Sequence, residues 1–284
     1  MFIFPAVLSA GYEESAASGS QLMEKGSYEE AVVYLQQAEE TAPEAKIMKI
    51  YIDLGVCYRK MNDYDSAIDY YKKALALSPG MADLYYNIGL AYYYKGSLKQ
   101  AIKFYKQAII VSPNYSEAYG AQAMAYRDMG FTDTAIEIIN EGLKQNPDYP
   151  GGYCILANCL CDKGRLTEAV EMYKRAIALR PDYTSAFYNL GVVYDELKQY
   201  TSAIDAYRQA LKLNNNDQDI HYNLGISLMN QGDYEAAQDC FKQAIKLNSE
   251  HKSSYDNLVE CLKQSGMSRE AEKWEEIRDS KLGD

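Results

Sequence analysis

Along most of this chain apolar residues recur every three or four positions, in runs of about a dozen, the spacing by which a helix buries one face. The runs come in pairs. Residues 185–213 show the unit: Leu190, Tyr194 and Tyr207 recur among the small residues Gly191, Ala203 and Ala210 on either side of a short polar break. This predicts a helix, a turn and a second helix. Two such helices cannot cover both apolar faces alone, so each pair needs a neighbour, and stacked pairs share one continuous core.

The prolines set the register. Pro43, Pro79, Pro113, Pro147 and Pro181 stand 36, 34, 34 and 34 residues apart, each just after an apolar run that proline cannot continue as helix. Extending the period reaches Asn215 and Ser249, polar side chains expected to stop or cap a helix there. Gly26, Gly96, Gly130, Gly164, Gly232 and Gly266 mark the turn inside a pair, where a positive φ costs glycine little. Asn62 takes that place once, and Lys198 once with expected strain. The chain thus divides into an apolar lead-in over residues 1–11, seven units at 12–45, 48–81, 82–115, 116–149, 150–183, 184–217 and 218–251, and an eighth unit with a terminal helix over 252–284. Ala67, Ala101, Ala135, Ala169, Ala203 and Ala237 fall where the second helix must approach the first closely. An oversized side chain there is expected to cost about 1 to 3 kcal/mol.

Within this frame the same positions recur in phase. The second unit has Tyr51, Leu54, Gly55, Tyr58, Ala67, Tyr71, Ala74 and Pro79; the third has Tyr85, Ile88, Gly89, Tyr92, Ala101, Tyr105, Ala108 and Pro113. The fifth, sixth and seventh follow, with Leu156, Ala157, Ala169 and Tyr173, with Leu190, Gly191, Ala203 and Tyr207, and with Leu224, Gly225, Ala237 and Phe241. The chain resembles tetratricopeptide repeat (TPR) proteins from about Tyr12 to Arg278. The resemblance implies an all-α, right-handed superhelical solenoid whose first helices line a concave groove for protein segments. The fourth unit departs furthest, with Ala123, Ile139 and Gly142 where glycine, an aromatic and alanine are usual, so looser packing is expected there. In the eighth unit Glu275 and Arg278 replace apolar positions, as suits a helix with no neighbour to cover.

Composition narrows the function classes. A net charge of -11 repels nucleic acid phosphates, and no basic stripe interleaved with aromatics stands out. Six cysteines, scattered over a chain of 284 residues, make no disulfide framework and point to a reduced, cytoplasmic setting. No apolar run has the length of a membrane span, and the first ten residues lack the basic start of a secretory signal. No phosphate loop and no set of nucleophile, base and orienter is present, and no metal or other cofactor is expected. Cys154 and Cys161 share a helical face but fit no zinc spacing, and His221 takes an aromatic scaffold place and is expected in the core. Trp274 is expected to pack on the preceding helices.

In proteins of the family that this chain resembles, the groove is built from the second, fifth, sixth, ninth and twelfth residues of each unit. Mapped onto this sequence, the sixth position reads Asn87 in the third unit and Asn189, Asn223 and Asn257 in the last three. The run is similar to the asparagine ladder in the repeats of the O-linked N-acetylglucosamine transferases, although nothing here resembles a transferase domain. An amide offers both a donor and an acceptor, as recognition of peptide backbone requires; the same side chains have a second use in bridging neighbouring helices. Tyr86, Tyr93, Tyr188 and Tyr222 map beside them as anchors, with Asn158 and Asp195. Asp162, Asp195, Glu196, Asp219, Asp256 and Glu260 face Lys263 alone from the fifth unit onward, so a neutral or basic segment is expected there. No three successive units supply the lysine, asparagine and arginine set with which some TPR proteins bind chaperone termini. Gly120, Ala121 and Gly151 either open a pocket for a bulky side chain or mark a worn repeat. The expected function is a noncatalytic scaffold for an extended protein or peptide segment. The alternatives are a self-assembling protein, with Phe2, Phe4 or Trp274 in the contact, and an accessory subunit of an enzyme or secretion complex.

Overall fold

A computed structural model of the chain describes residues 11–283. The lead-in at residues 1–10, with Phe2 and Phe4, lies outside them. The described residues form sixteen α-helices and no strand. They fall into two compact units, one ending at Pro147 and the other starting at Asp148.

The first unit holds α1 (Tyr12–Glu24), α2 (Tyr28–Thr41), α3 (Glu44–Lys60), α4 (Tyr64–Leu77), α5 (Ala82–Tyr94), α6 (Leu98–Val111), α7 (Ser116–Asp128) and α8 (Thr132–Gln145). Each odd helix packs antiparallel on the next, and each even helix packs on the following odd one. Successive odd helices also touch, α1 with α3 and α5 with α7, and so form an inner layer. The two extra residues after the first repeat are absorbed as an early start to α3, which begins at Glu44 behind Pro43 and runs for 17 residues.

The second unit holds α9 (Pro150–Asp162), α10 (Leu166–Leu179), α11 (Thr184–Glu196), α12 (Tyr200–Leu213), α13 (Gln218–Gln231), α14 (Tyr234–Leu247), α15 (Lys252–Gln264) and α16 (Ser268–Leu282). Its inner layer runs through α11, α13 and α15. One core cluster of Tyr207, Leu224, Phe241, Tyr255, Leu258 and Leu262 continues from α12 to α16. Of α16 only Ala271 is fully buried; Trp274 tilts against Tyr255 at 6.1 Å between ring centroids, as its place in the sequence predicts.

The helix pairs close around small residues. All six alanines expected at the crossing are 0% exposed. A methyl group added to Gly89 would stand 2.5 Å from Cε1 of Tyr105, and one added to Gly191 the same distance from Tyr207, so glycine lets the aromatic ring of the second helix lie on the backbone of the first. The fourth repeat solves the contact differently. Ala123 faces the smaller Ile139, both 0% exposed, and Gly142 makes room for Tyr119 at 2.6 Å. The interior there is closed, but Ile109, Ile110, Tyr119 and Ile138 border an open cleft of about 430 Å³ between α6, α7 and α8.

The turns follow the predicted rule, with Gly26, Gly96, Gly130, Gly164, Gly232 and Gly266 at φ between 71° and 91°. Asn62 and Lys198 adopt the same region at 63° and 58°. The helices α12 and α14 end in the register of α4, α6, α8 and α10, so the capping residue lies one before Asn215 and Ser249, as it lies one before Pro79, Pro113, Pro147 and Pro181. Asn214 and Asn248 stand at the C-caps, and their side chains accept from the backbone N–H of Asn216 and Glu250. These are Asx turns, which the side chains add where the earlier repeats carry proline. His221 is half-buried and not in the core; its Nε2 lies 3.1 Å from the Asn215 carbonyl and ties the loop to α13.

Candidate functional site

The inner layer of the second unit carries the polar residues singled out above. Tyr188 and Asn189 are consecutive on α11, Tyr222 and Asn223 on α13, and Asn257 sits on α15. Asn223 Nδ2 donates to the Tyr188 hydroxyl at 2.9 Å, and Asn257 Nδ2 donates to the Tyr222 hydroxyl at 3.2 Å. One device is therefore repeated: an amide on each helix braces the tyrosine of the helix before it. Each tyrosine ring also tilts on the buried aromatic of its own repeat, Tyr188 on Tyr207 at 6.0 Å and Tyr222 on Phe241 at 5.9 Å. The His251 ring stands edge-on to Tyr222 at 4.8 Å.

Bracing uses only part of the hydrogen-bonding capacity. Each tyrosine oxygen accepts from the amide and keeps its own proton to donate, while each asparagine keeps its Oδ1 as an acceptor. A donor and an acceptor thus stand side by side, held by ring packing on one side and by a hydrogen bond on the other. Asn189 is half-buried and makes no side-chain hydrogen bond among the described residues. The Tyr188 hydroxyl is held in its protonated form, its pKa raised first by burial and then by the Asp219 carboxylate.

Asp195 belongs to the interior. Its carboxylate accepts from Ser227 Oγ at 2.7 and 2.8 Å and from the Tyr207 hydroxyl at 2.9 Å, so it ties α11 to α12 and α13. Burial pushes its pKa up, and the two donors offset part of that push. Asn158 is half-occupied as well, accepting from the Tyr173 hydroxyl. Asp256 is paired with Arg278 at 2.8 Å, Lys263 with Glu275 at 2.7 Å, and Glu260 accepts from Gln264. Asp219 and Glu196 are exposed and make no side-chain hydrogen bond or ion pair among the described residues. The free charge of this face is therefore negative and smaller than the residue count suggests.

In the first unit the equivalent face is different. Tyr86 on α5 packs on Tyr105 at 5.9 Å and on Tyr115 at 5.3 Å, and Tyr93 donates to Asp128 of α7. Asn87 is half-buried and makes no side-chain hydrogen bond among the described residues. Ile52 of α3 is apolar where α11 and α13 carry Tyr188 and Tyr222, while Val56 of α3 and Leu90 of α5 match the apolar Val192 and Ile226 of the second unit. Gly120 and Ala123 of α7 are buried, and in the second unit Tyr149 lies against Gly151. All six cysteines are thiols; burial pushes Cys154 up to about 11 and Cys261 likewise, which keeps both protonated near neutral pH. Among the described residues no group of histidine, cysteine and carboxylate side chains has the makings of a metal site, and no helix is long and apolar enough to cross a membrane.

The tetratricopeptide repeat pattern matches residues 49–81, 82–115 and 219–251, a second form of it matches 116–149, and a longer TPR repeat pattern matches 157–198 and 195–232. No curated protein matches the chain. Among solved structures, the chain is similar to MamA, with 27% identity, 60% of this chain and 92% of that one covered, and a TM-score of 0.52. It is also similar to a tetratricopeptide repeat protein from Parabacteroides merdae ATCC 43184, with 17% identity, 88% and 98% covered, and a TM-score of 0.64. A third is pilF of Pseudomonas aeruginosa, with 20% identity, 72% and 93% covered, and a TM-score of 0.61.

Proposed function

This chain belongs to the tetratricopeptide repeat family, and we propose that it is a noncatalytic interaction scaffold whose second unit holds an extended, neutral or basic segment of a partner protein along α11, α13 and α15. The observation that carries this reading is the repeated pair of a tyrosine O–H donor and an asparagine Oδ1 acceptor, at Tyr188 with Asn223 and at Tyr222 with Asn257. An extended peptide presents C=O and N–H groups in alternation, and such pairs match it without reference to side-chain identity. Asn189 adds a third amide, and the exposed Asp219 beside Tyr188 favours a basic side chain on the segment. Asn158 and Asp195 position the face by holding Tyr173 and Tyr207. We read Asn87, Tyr86 and Tyr93 as a related face of the first unit.

The test uses phage-displayed extended decapeptides selected on the full chain, with the affinity of selected peptides measured by fluorescence anisotropy. Peptides that bind the second unit are expected to be neutral or basic and to lose about tenfold or more in affinity when Asn189→Ala and Asn223→Ala are combined, as loss of two peptide hydrogen bonds implies. Equal binding by the double variant, with its helical circular dichroism unchanged, overturns the reading.

A further inference from the structure

One scaffold position has different outcomes in the two units. In the second unit the aromatic that lies under the first helix is Tyr173, Tyr207 or Phe241. The Tyr173 hydroxyl donates to Asn158, the Tyr207 hydroxyl donates to Asp195, and Phe241 has no hydroxyl to satisfy. In the first unit the same position holds Tyr71 and Tyr105, both 0% exposed, and both hydroxyls are sealed from solvent without a hydrogen-bond partner. Phenylalanine is evidently tolerated here, so two buried, unpaired hydroxyls in successive repeats call for an explanation beyond packing.

Arg59 supplies the second observation. It is the twelfth residue of its repeat, at the end of α3, half-buried, and its guanidinium lies against the Tyr71 hydroxyl without a well-formed hydrogen bond between them. Its Nε is sealed from solvent with no partner, and the guanidinium makes no ion pair among the described residues. Asp53, whose charge acts on Tyr71, is already held by Lys49 at 2.5 Å. Among the described residues the Tyr71 oxygen is the only acceptor that the guanidinium lies against, and using it still leaves the Tyr71 O–H and the Arg59 Nε–H as two donors without an acceptor. Beside them Ile52, Val56 and Leu90 make an apolar strip, and Tyr86 leads from it to the Tyr105 hydroxyl one repeat away.

We propose that Arg59 and Tyr71 form a subsite of the first unit for a carboxylate of a partner segment, an aspartate or glutamate side chain with an apolar neighbour. The inference rests on the reading of the chain as a peptide-holding scaffold and adds a polarity to it: this subsite is anion-seeking, whereas the face of the second unit is not. A guanidinium binds a carboxylate through two parallel N–H donors, and the tyrosine hydroxyl adds a third donor at the edge of that plane.

Two measurements test it. The first repeats the decapeptide selection on the full chain. Acidic peptides are expected among the binders, losing tenfold or more in affinity with Arg59→Gln, several-fold with Tyr71→Phe, and nothing with the Asn189→Ala, Asn223→Ala pair. Exchange of the peptide glutamate for glutamine should remove the effect of Arg59→Gln. If only neutral or basic binders appear, lost with the asparagine pair alone, the second unit holds its segment as proposed and this subsite falls. If the only binders are acidic, depend on Arg59 and ignore the asparagines, this subsite stands and the proposed face of the second unit falls. A library without any binder overturns this subsite. The second measurement needs no ligand. An unpaired buried hydroxyl predicts that Tyr71→Phe and Tyr105→Phe each raise the melting temperature of the free protein by about 2 °C or more, whereas Tyr207→Phe lowers it. A lower melting temperature for Tyr71→Phe means that its hydroxyl is already satisfied, and the subsite is then withdrawn.

Discussion

Lys198 carries a backbone conformation that six other turns of this chain assign to glycine. Its Cβ is crowded by the following carbonyl oxygen at φ 58°, a strain of about 1 to 2 kcal/mol. Lys198→Gly is therefore expected to stabilise the protein by about 1 kcal/mol, after the entropy that glycine returns to the unfolded chain, as read from the urea midpoint. Gly89 has the opposite sensitivity: a methyl group there meets the Tyr105 ring at 2.5 Å, and the ring is fully buried. Gly89→Ala should cost about 1 to 3 kcal/mol. Combining it with Tyr105→Ile, the solution used by Ala123 and Ile139, should recover part of that loss, and a double-mutant cycle of urea midpoints measures how much. Asp195 supplies a dependence on pH. Its folded pKa is raised by burial, so the folded state holds a proton that the unfolded state has released between the ordinary carboxylate value of about 4 and that raised value. The stability this group contributes is then greatest below the ordinary value and falls as pH rises through the raised one. Asp195→Asn should remove the slope, so that its stability relative to the natural protein improves from about pH 4 towards neutrality. A difference that shrinks over that range contradicts the assignment.

Among the elements, the helix pairs and their turns were legible because each rests on local chemistry repeated along the chain: proline after the second helix, glycine in the turn, alanine at the crossing. Asn214 and Asn248 cap their helices in the same register as Ser78, Ser112, Asn146 and Arg180, one residue before the position that proline holds in the earlier repeats, and that cap position is not marked by the proline spacing. The candidate site was legible as a set of positions and illegible as a set of bonds. Asn223 and Asn257 stood out at one repeat's spacing, but their tyrosine partners lie 35 residues earlier, and the sequence alone does not show which face of the neighbouring helix they meet. Asp195 looked like a surface charge because its donors, Ser227 and Tyr207, come from two other helices. The braces should make adjacent helices interdependent. Tyr188→Phe and Asn223→Ala are expected to couple by about 0.5 to 1.5 kcal/mol in a double-mutant cycle of unfolding free energies, whereas Asn189→Ala should be independent of Tyr222→Phe.

At the scale of the molecule, the repeat makes stability a sum of local contacts within each unit, so what covers the last contact matters most. In the second unit that cover is α16. Its exposed side is strongly charged and only Ala271 is fully buried, yet beneath it lie Tyr255, Leu258 and Leu262, each 0% exposed. The helix itself therefore contributes little burial, while the surface it hides is the apolar edge of a core that continues from α12. The asymmetry separates two effects of removing it. Truncation after Gly266 should leave the helical circular dichroism per residue nearly unchanged. Uncovering those side chains, by contrast, leaves a contiguous apolar patch of the kind that folded chains bury by association. Sedimentation velocity on the truncated chain should then show self-association that rises with concentration and exceeds that of the full chain, and Leu258→Lys in the truncated chain should reduce it. Identical sedimentation of the two chains would mean that the edge of the core closes without α16, leaving Trp274 and Ala271 as mere contacts.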